Sequence, residues 1–157
     1  MMRYLNERQA GDALRKLMEA VVLRFRFDQS SGEFLLTTDY PDQLRNSVRA
    51  FIELRFSGVD LFAREQGDQA KYHRFWGDFH ASSIQEPIVV QHVTLSDSKG
   101  GRRVEFWMGP SFGGFSFLFD GVTGRVRDSR VDQKGGVFAY FDLKTREPFD
   151  FFDPFAA

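Results

Sequence analysis

Leu54-Arg55-Phe56-Ser57-Gly58-Val59 is a phrase that the chain uses twice. It returns as Phe117-Leu118-Phe119-Asp120-Gly121-Val122, and each copy is followed five residues later by an arginine, Arg64 or Arg127. In both, large apolar residues alternate up to a glycine. Alternation places one face of a strand in a core, and the glycine supplies the backbone freedom or close approach that a bulge or sheet corner needs. Nothing beyond these short windows repeats, so they read as two similar strand corners and not as a duplicated domain. Valine at either glycine is expected to damage folding before it damages binding.

Strands extend outward from both copies. Val48 to Phe56 places Ala50, Ile52, Leu54 and Phe56 on one face and Arg49, Glu53 and Arg55 on the other, and the chain resumes past Gly58 as Leu61 to Arg64. Ile88 to Leu95, Arg102 to Met108 and Phe115 to Phe119 read as strands before the second corner, Arg125 to Val131 and Val137 to Leu143 as a pair after it. Upstream, Val21 to Phe27 and Phe34 to Thr38 form a hairpin around Asp28-Gln29-Ser30-Ser31-Gly32, and Tyr40-Pro41-Asp42 is expected to break the sheet. Gln66 to Pro87 shows no clear period.

One helix is predicted. Asn6 and Gln9 stand at capping-box spacing, and Ala10, Ala13, Leu14, Leu17, Met18 and Val21 form one apolar stripe. Gly11 weakens it by roughly 1 kcal/mol relative to alanine. The expected architecture is mainly β, α+β by content: an antiparallel sheet of about eight strands bent into a sandwich or open barrel, with one N-terminal amphipathic helix. The 157 residues are expected to form a single domain, residues 1–157, and 19 phenylalanines point to an aromatic core.

Composition narrows the function. The net charge of -1 gives no overall attraction to nucleic acid or an anionic membrane, and the absence of cysteine removes disulfides, thiolate nucleophiles and Cys-based metal sites. The amino terminus has no apolar export segment and no run is long enough to span a bilayer as a helix, so a cytoplasmic protein is expected. No nucleophile elbow, phosphate-binding loop or dinucleotide motif occurs. Gly109-Pro110-Ser111-Phe112-Gly113-Gly114 lacks a lysine and precedes a strand, which reads as a hairpin turn. No catalytic residue and no cofactor are therefore expected. His73, His80 and His92 are the candidate metal ligands, with Asp78 close enough in sequence to serve as a fourth, though their spacing matches no compact ligand motif.

The residues Ile52 to Leu61, followed by Arg103-Val104-Glu105-Phe106 and Phe112-Gly113-Gly114-Phe115-Ser116-Phe117, resemble small β-rich bacterial immunity proteins of polymorphic toxin systems. The resemblance covers about residues 48 to 120 and implies inhibition of a partner toxin by binding, with no catalytic residue. The expected function is thus a non-enzymatic binding protein whose partner is another protein, with neither nucleic acid nor membrane as partner. Its expected partner-binding anchors are Tyr40, Trp76, Trp107 and Phe112, because interfaces favour large aromatics. The alternative is a small-ligand or metal-binding β-barrel, with or without enzymatic activity.

Overall fold

The computed structural model describes residues 2–45 and 48–156. Met2–Leu5 is extended (β1) and Glu7–Leu14 is helical (α1). The capping box is present: the Gln9 amide donates to the Asn6 side chain (2.9 Å) and the Asn6 amide to the Gln9 side chain (3.0 Å). The helix ends at Leu14 and does not continue to Val21. Glu19 takes a left-handed φ of 71°, and the backbones of Glu19 and Ala20 bond that of Val90. Leu17 is buried as the apolar rhythm requires, but beyond the end of the helix, and Met18 is left exposed.

The strands follow as β2 (Val22–Asp28), β3 (Glu33–Arg45), β4 (Val48–Ser57) and β5 (Asp60–Gln66). Tyr40-Pro41-Asp42 does not break the sheet. β3 runs on through it, with a register irregularity between Tyr40 and Arg45 that accommodates the proline. Residues 66–87 form two short 3-10 turns around β6 (Asp78–His80) and bury Tyr72, Phe75 and Phe79. Next come β7 (His92–Ser98), β8 (Gly101–Trp107), a single helical turn α2 (Gly109–Phe112) and β9 (Gly113–Phe119). Ile88 to Val90 is not part of β7, because its hydrogen bonds go to the segment entering β2. The chain ends with β10 (Gly121–Lys134), β11 (Val137–Asp142) and β12 (Pro148–Phe149). Every strand expected from the sequence is present, and the short β1, β6 and β12 join them.

All pairing between these strands is antiparallel, in two sheets. The larger has eight strands in the order β12-β11-β10-β4-β3-β2-β6 with β1 also on β10, and the smaller has four in the order β5-β9-β8-β7. The larger curls as a half-barrel. The two copies of the repeated phrase are where the chain passes between sheets, and they are each other's partners. β4 pairs with β10 up to Ser57↔Gly121, and β5 pairs with β9 from Asp60↔Leu118. Pairing thus continues around the bend, closed by a hydrogen bond from the Asp120 amide to the Ser57 carbonyl (2.9 Å).

This corner brings the apolar faces of the sheets together. Phe56 of the larger sheet meets Phe117 and Phe119 of the smaller at 5.1 Å between ring centroids, and Phe34 meets Phe117 at 4.8 Å. Ring pairs at such spacings add roughly 0.5–1.5 kcal/mol each beyond area burial. A satellite core lies on the opposite face of the larger sheet, where Leu23, Phe51 and Phe155 are covered by Tyr140, Phe149 and Phe151. The aromatic tail therefore packs on its own fold.

The two corner glycines are not equivalent. Gly58 has φ +62° and an added Cβ would lie 2.0 Å from Asp120 Oδ2 and 2.8 Å from Asp120 Cβ, whereas at Gly121 the nearest atom is Ser57 Oγ at 3.3 Å. Gly58→Ala is expected to lower stability by roughly 1–3 kcal/mol and Gly121→Ala by under about 0.5 kcal/mol. Urea midpoints of the two variants measure the difference, and equal losses would contradict the asymmetry.

Candidate binding surfaces

The four aromatic residues expected as partner anchors separate into three environments. Tyr40 and Phe112 are core side chains, at 8% and 1% exposure. Because β3 continues past Thr38, the alternation Leu36, Thr38, Tyr40 turns Tyr40 inward opposite Ala50. Phe112 sits where α2 folds inward, with its ring against Phe25, Phe79 and Tyr72. These two are not available as surface anchors. Trp76 is exposed and leans on Phe62, with ring centroids 5.3 Å apart. Trp107 is half-buried and lies across Gly114, where an added Cβ would be 3.1 Å from its Cε3.

Trp107 and His92 are cross-strand partners on the outer face of the smaller sheet. Beside them a shallow groove of about 320 Å³ runs over the small residues Ser116 and Ala63. Arg103 bonds both Glu105 (2.9 Å) and Ser116 Oγ (3.2 Å) there, so its charge is already balanced.

The three histidines do not converge. His73 Nε2 lies 3.1 Å from the Gly67 carbonyl, His80 Nδ1 accepts from the Ser82 amide at 3.3 Å, and His92 faces Trp107. Among the described residues no group of three His, Asp or Glu side chains is placed to hold a metal ion. The metal version of the alternative reading therefore has no site in these residues.

The arginines divide by use. Arg49, Arg55 and Arg125 of the larger sheet hold Asp39, Glu33 and Glu53 respectively. Arg24 and Arg26 make no ion pair with a described residue, but β3 separates them from Arg49 and Arg55 on β4. The two arginines that follow the repeated phrase act as clamps. Arg64 donates to the carbonyls of Glu65 (2.6 Å), Gly114 (2.9 Å) and Phe112 (2.8 Å) and stacks on the Phe112 ring at 4.2 Å. Burial without a carboxylate partner pulls its pKa down to about 10. Arg127 bonds Asp142 (3.0 Å) and the Pro154 carbonyl (2.8 Å), and so fastens the tail.

Sequence reasoning missed a protruding arm. β10 pairs with β4 only as far as Arg130, and β11 pairs with β12 only at Tyr140 and Phe141. Beyond those points, Val131 to Ala139 forms a two-stranded ribbon that pairs with no other strand among the described residues. Val137 and Phe138 stand on it at 68% and 56% exposure, and Phe152 is exposed beside Phe151. Phe138 falls on the same ribbon face as Tyr140 of the satellite core, with its ring in solvent. The signal was present in Val137-Phe138 beside Gly135-Gly136, but only strand order shows that no other strand among the described residues covers it.

A second recess, of about 520 Å³, lies between α1 and β7, with Leu14, Phe119 and Val122 at its base. No described helix is long and apolar enough to cross a membrane. Comparison of the chain with protein-family models, curated proteins and solved structures found no match.

The tail clamp has a pH signature. Burial alone raises the Asp142 pKa, but hydrogen bonds, those from the Thr145 and Lys144 amides and from Arg127 among them, outweigh it and hold the carboxyl well below the usual carboxylate range. A depressed folded pKa gives stability that is complete above the unfolded value, about 3.9, and is lost as pH falls through the folded one. The melting temperature is expected to drop below about pH 4, and Asp142→Asn, less stable at pH 7, is expected to show a shallower acid limb. Parallel acid limbs would remove Asp142 from this role.

Proposed function

We infer that the protein is a non-catalytic binding module whose partner is another protein, acting in the cytoplasm as an immunity-type inhibitor of a bacterial toxin. The observation that supports the reading is the arm. An exposed ribbon whose edges pair with no other strand among the described residues offers ladder hydrogen bonds to an incoming strand, and that mode of recognition belongs to polypeptide ligands. Exposed Phe138 and Phe152 add large aromatic surface of the kind that protein interfaces favour. Both elements serve binding without any reacting group. The toxin assignment rests on the sequence resemblance alone.

The test is direct binding of the purified chain to the products of its neighbouring genes. One product is expected to bind, and Phe138→Asp to weaken it by about tenfold or more with an unchanged melting temperature, since Phe138 is exposed. If no neighbouring product binds, or if Phe138→Asp binds as tightly as the wild type, the reading fails.

A further inference from the structure

We propose that the recess between α1 and β7 is a binding site for a small amphiphilic carboxylate, an aryl or medium-chain acid whose apolar body enters the recess and whose head is held by Arg8 and Arg15.

Gly11 carries the argument. It stands inside helix α1, where glycine costs roughly 1 kcal/mol relative to alanine. Its backbone needs no left-handed conformation, and an added Cβ would meet nothing within 4 Å. The fold thus gives no steric reason for glycine here. What the missing side chain does is leave the recess open, and Gly11 lines it. At about 520 Å³ the space is of the size that holds a small organic ligand.

The walls define the ligand's chemistry. The base is apolar, with Leu14, Phe119 and Val122 each under 5% exposed. Arg8, Gly11 and Arg15 follow at spacings of three and four along one helix face, so two guanidinium groups flank the gap. Arg8 has no hydrogen bond or ion pair to a described residue, and Arg15 meets only the exposed Asp12 at 3.6 Å. Both can turn to an anion. The opposing charges on the rim are Glu7 and Asp97, of which Glu7 is already bonded to Arg102. Arg102 is further fixed by the Asp120 carbonyl and lies over the Phe119 ring at 4.9 Å, which places it as a wall and not as the head-group donor. A neutral apolar molecule would fill the base and leave the arginines unused. A cation would face them. An anion with an apolar body satisfies both.

The experiment is thermal unfolding and calorimetric titration with decanoate, decanol and decyltrimethylammonium. Decanoate at ten times its Kd is expected to raise the melting temperature by about 3–6 °C through binding to the native state alone. Decanol is expected to bind more weakly and the cationic chain not at all. Gly11→Leu fills the recess, and is expected to abolish saturable decanoate binding while leaving the unliganded melting temperature equal or higher. Arg8→Ala combined with Arg15→Ala changes two surface side chains and is expected to weaken decanoate by about tenfold or more without changing decanol. Equal wild-type affinity for decanoate and decanol, undiminished binding by Gly11→Leu, or no saturable binding at all would each overturn the proposal. Phe138→Asp is expected to keep full decanoate affinity, which separates this site from the arm.

Discussion

Antiparallel pairing that survives a bend is the constraint on which this molecule depends. Two strands leave one sheet together and enter the other together, and at the bend itself the hydrogen bond between Asp120 and Ser57 keeps them in register. A sheet that turns in this way exposes no new edge at the corner, where unpaired backbone would otherwise cost desolvation. It also fixes which inner-face residues meet. Phe56 and Phe117 approach the corner from opposite directions, and the repeated phrase is alike in its two copies because both occupy the same kind of place in the same bend.

The phenylalanine bias follows from this geometry. Inner faces of two bent sheets leave wide, shallow spaces that flat rings fill in both stacked and edge-on arrangements, as Phe34, Phe56, Phe115 and Phe117 do. Phenylalanine does so without a polar atom needing a partner. The same residue type then serves a different purpose at the tail, where Phe149, Phe151 and Phe155 roof over Phe51 on the face that the main core does not use. Arg127 and Asp142, buried beneath that roof, supply the directional bonds that an apolar tail lacks.

The fold was largely legible because alternation and glycine punctuation are local properties. The antiparallel β architecture, the capped helix and the corners all follow from residues read in short windows. The helix end was not legible, since Leu17, Met18 and Val21 satisfy a helical period while the bonds that capture Glu19 and Ala20 come from distant Val90. Continuation of β3 through Pro41 depends likewise on its pairing with β4, which tolerates an irregularity that propensity alone forbids. Of the candidate anchors, Trp76 is exposed, but residue type could not distinguish Phe112, held inside by Arg64 and the rings of Phe25, Phe79 and Tyr72, from Phe138 on the arm. Exposure is a property of strand order. The recess beside α1 lay beyond sequence reasoning for the same reason, although the costly Gly11 was its one local trace.

Both ends of the described chain meet on one strand. Met2 pairs with Arg127, whose guanidinium also holds the carbonyl of Pro154, and Arg3 reaches the neighbouring Asp128. A mechanical load applied between residues 2 and 156 therefore reaches β10 at neighbouring residues, Arg127 and Asp128, at the end of its ladder with β1. Such a load peels β1 and the tail away one bond at a time instead of shearing the sheets past each other. The molecule yields first at its fastenings, and the paired corner with its aromatic interior bears the force last.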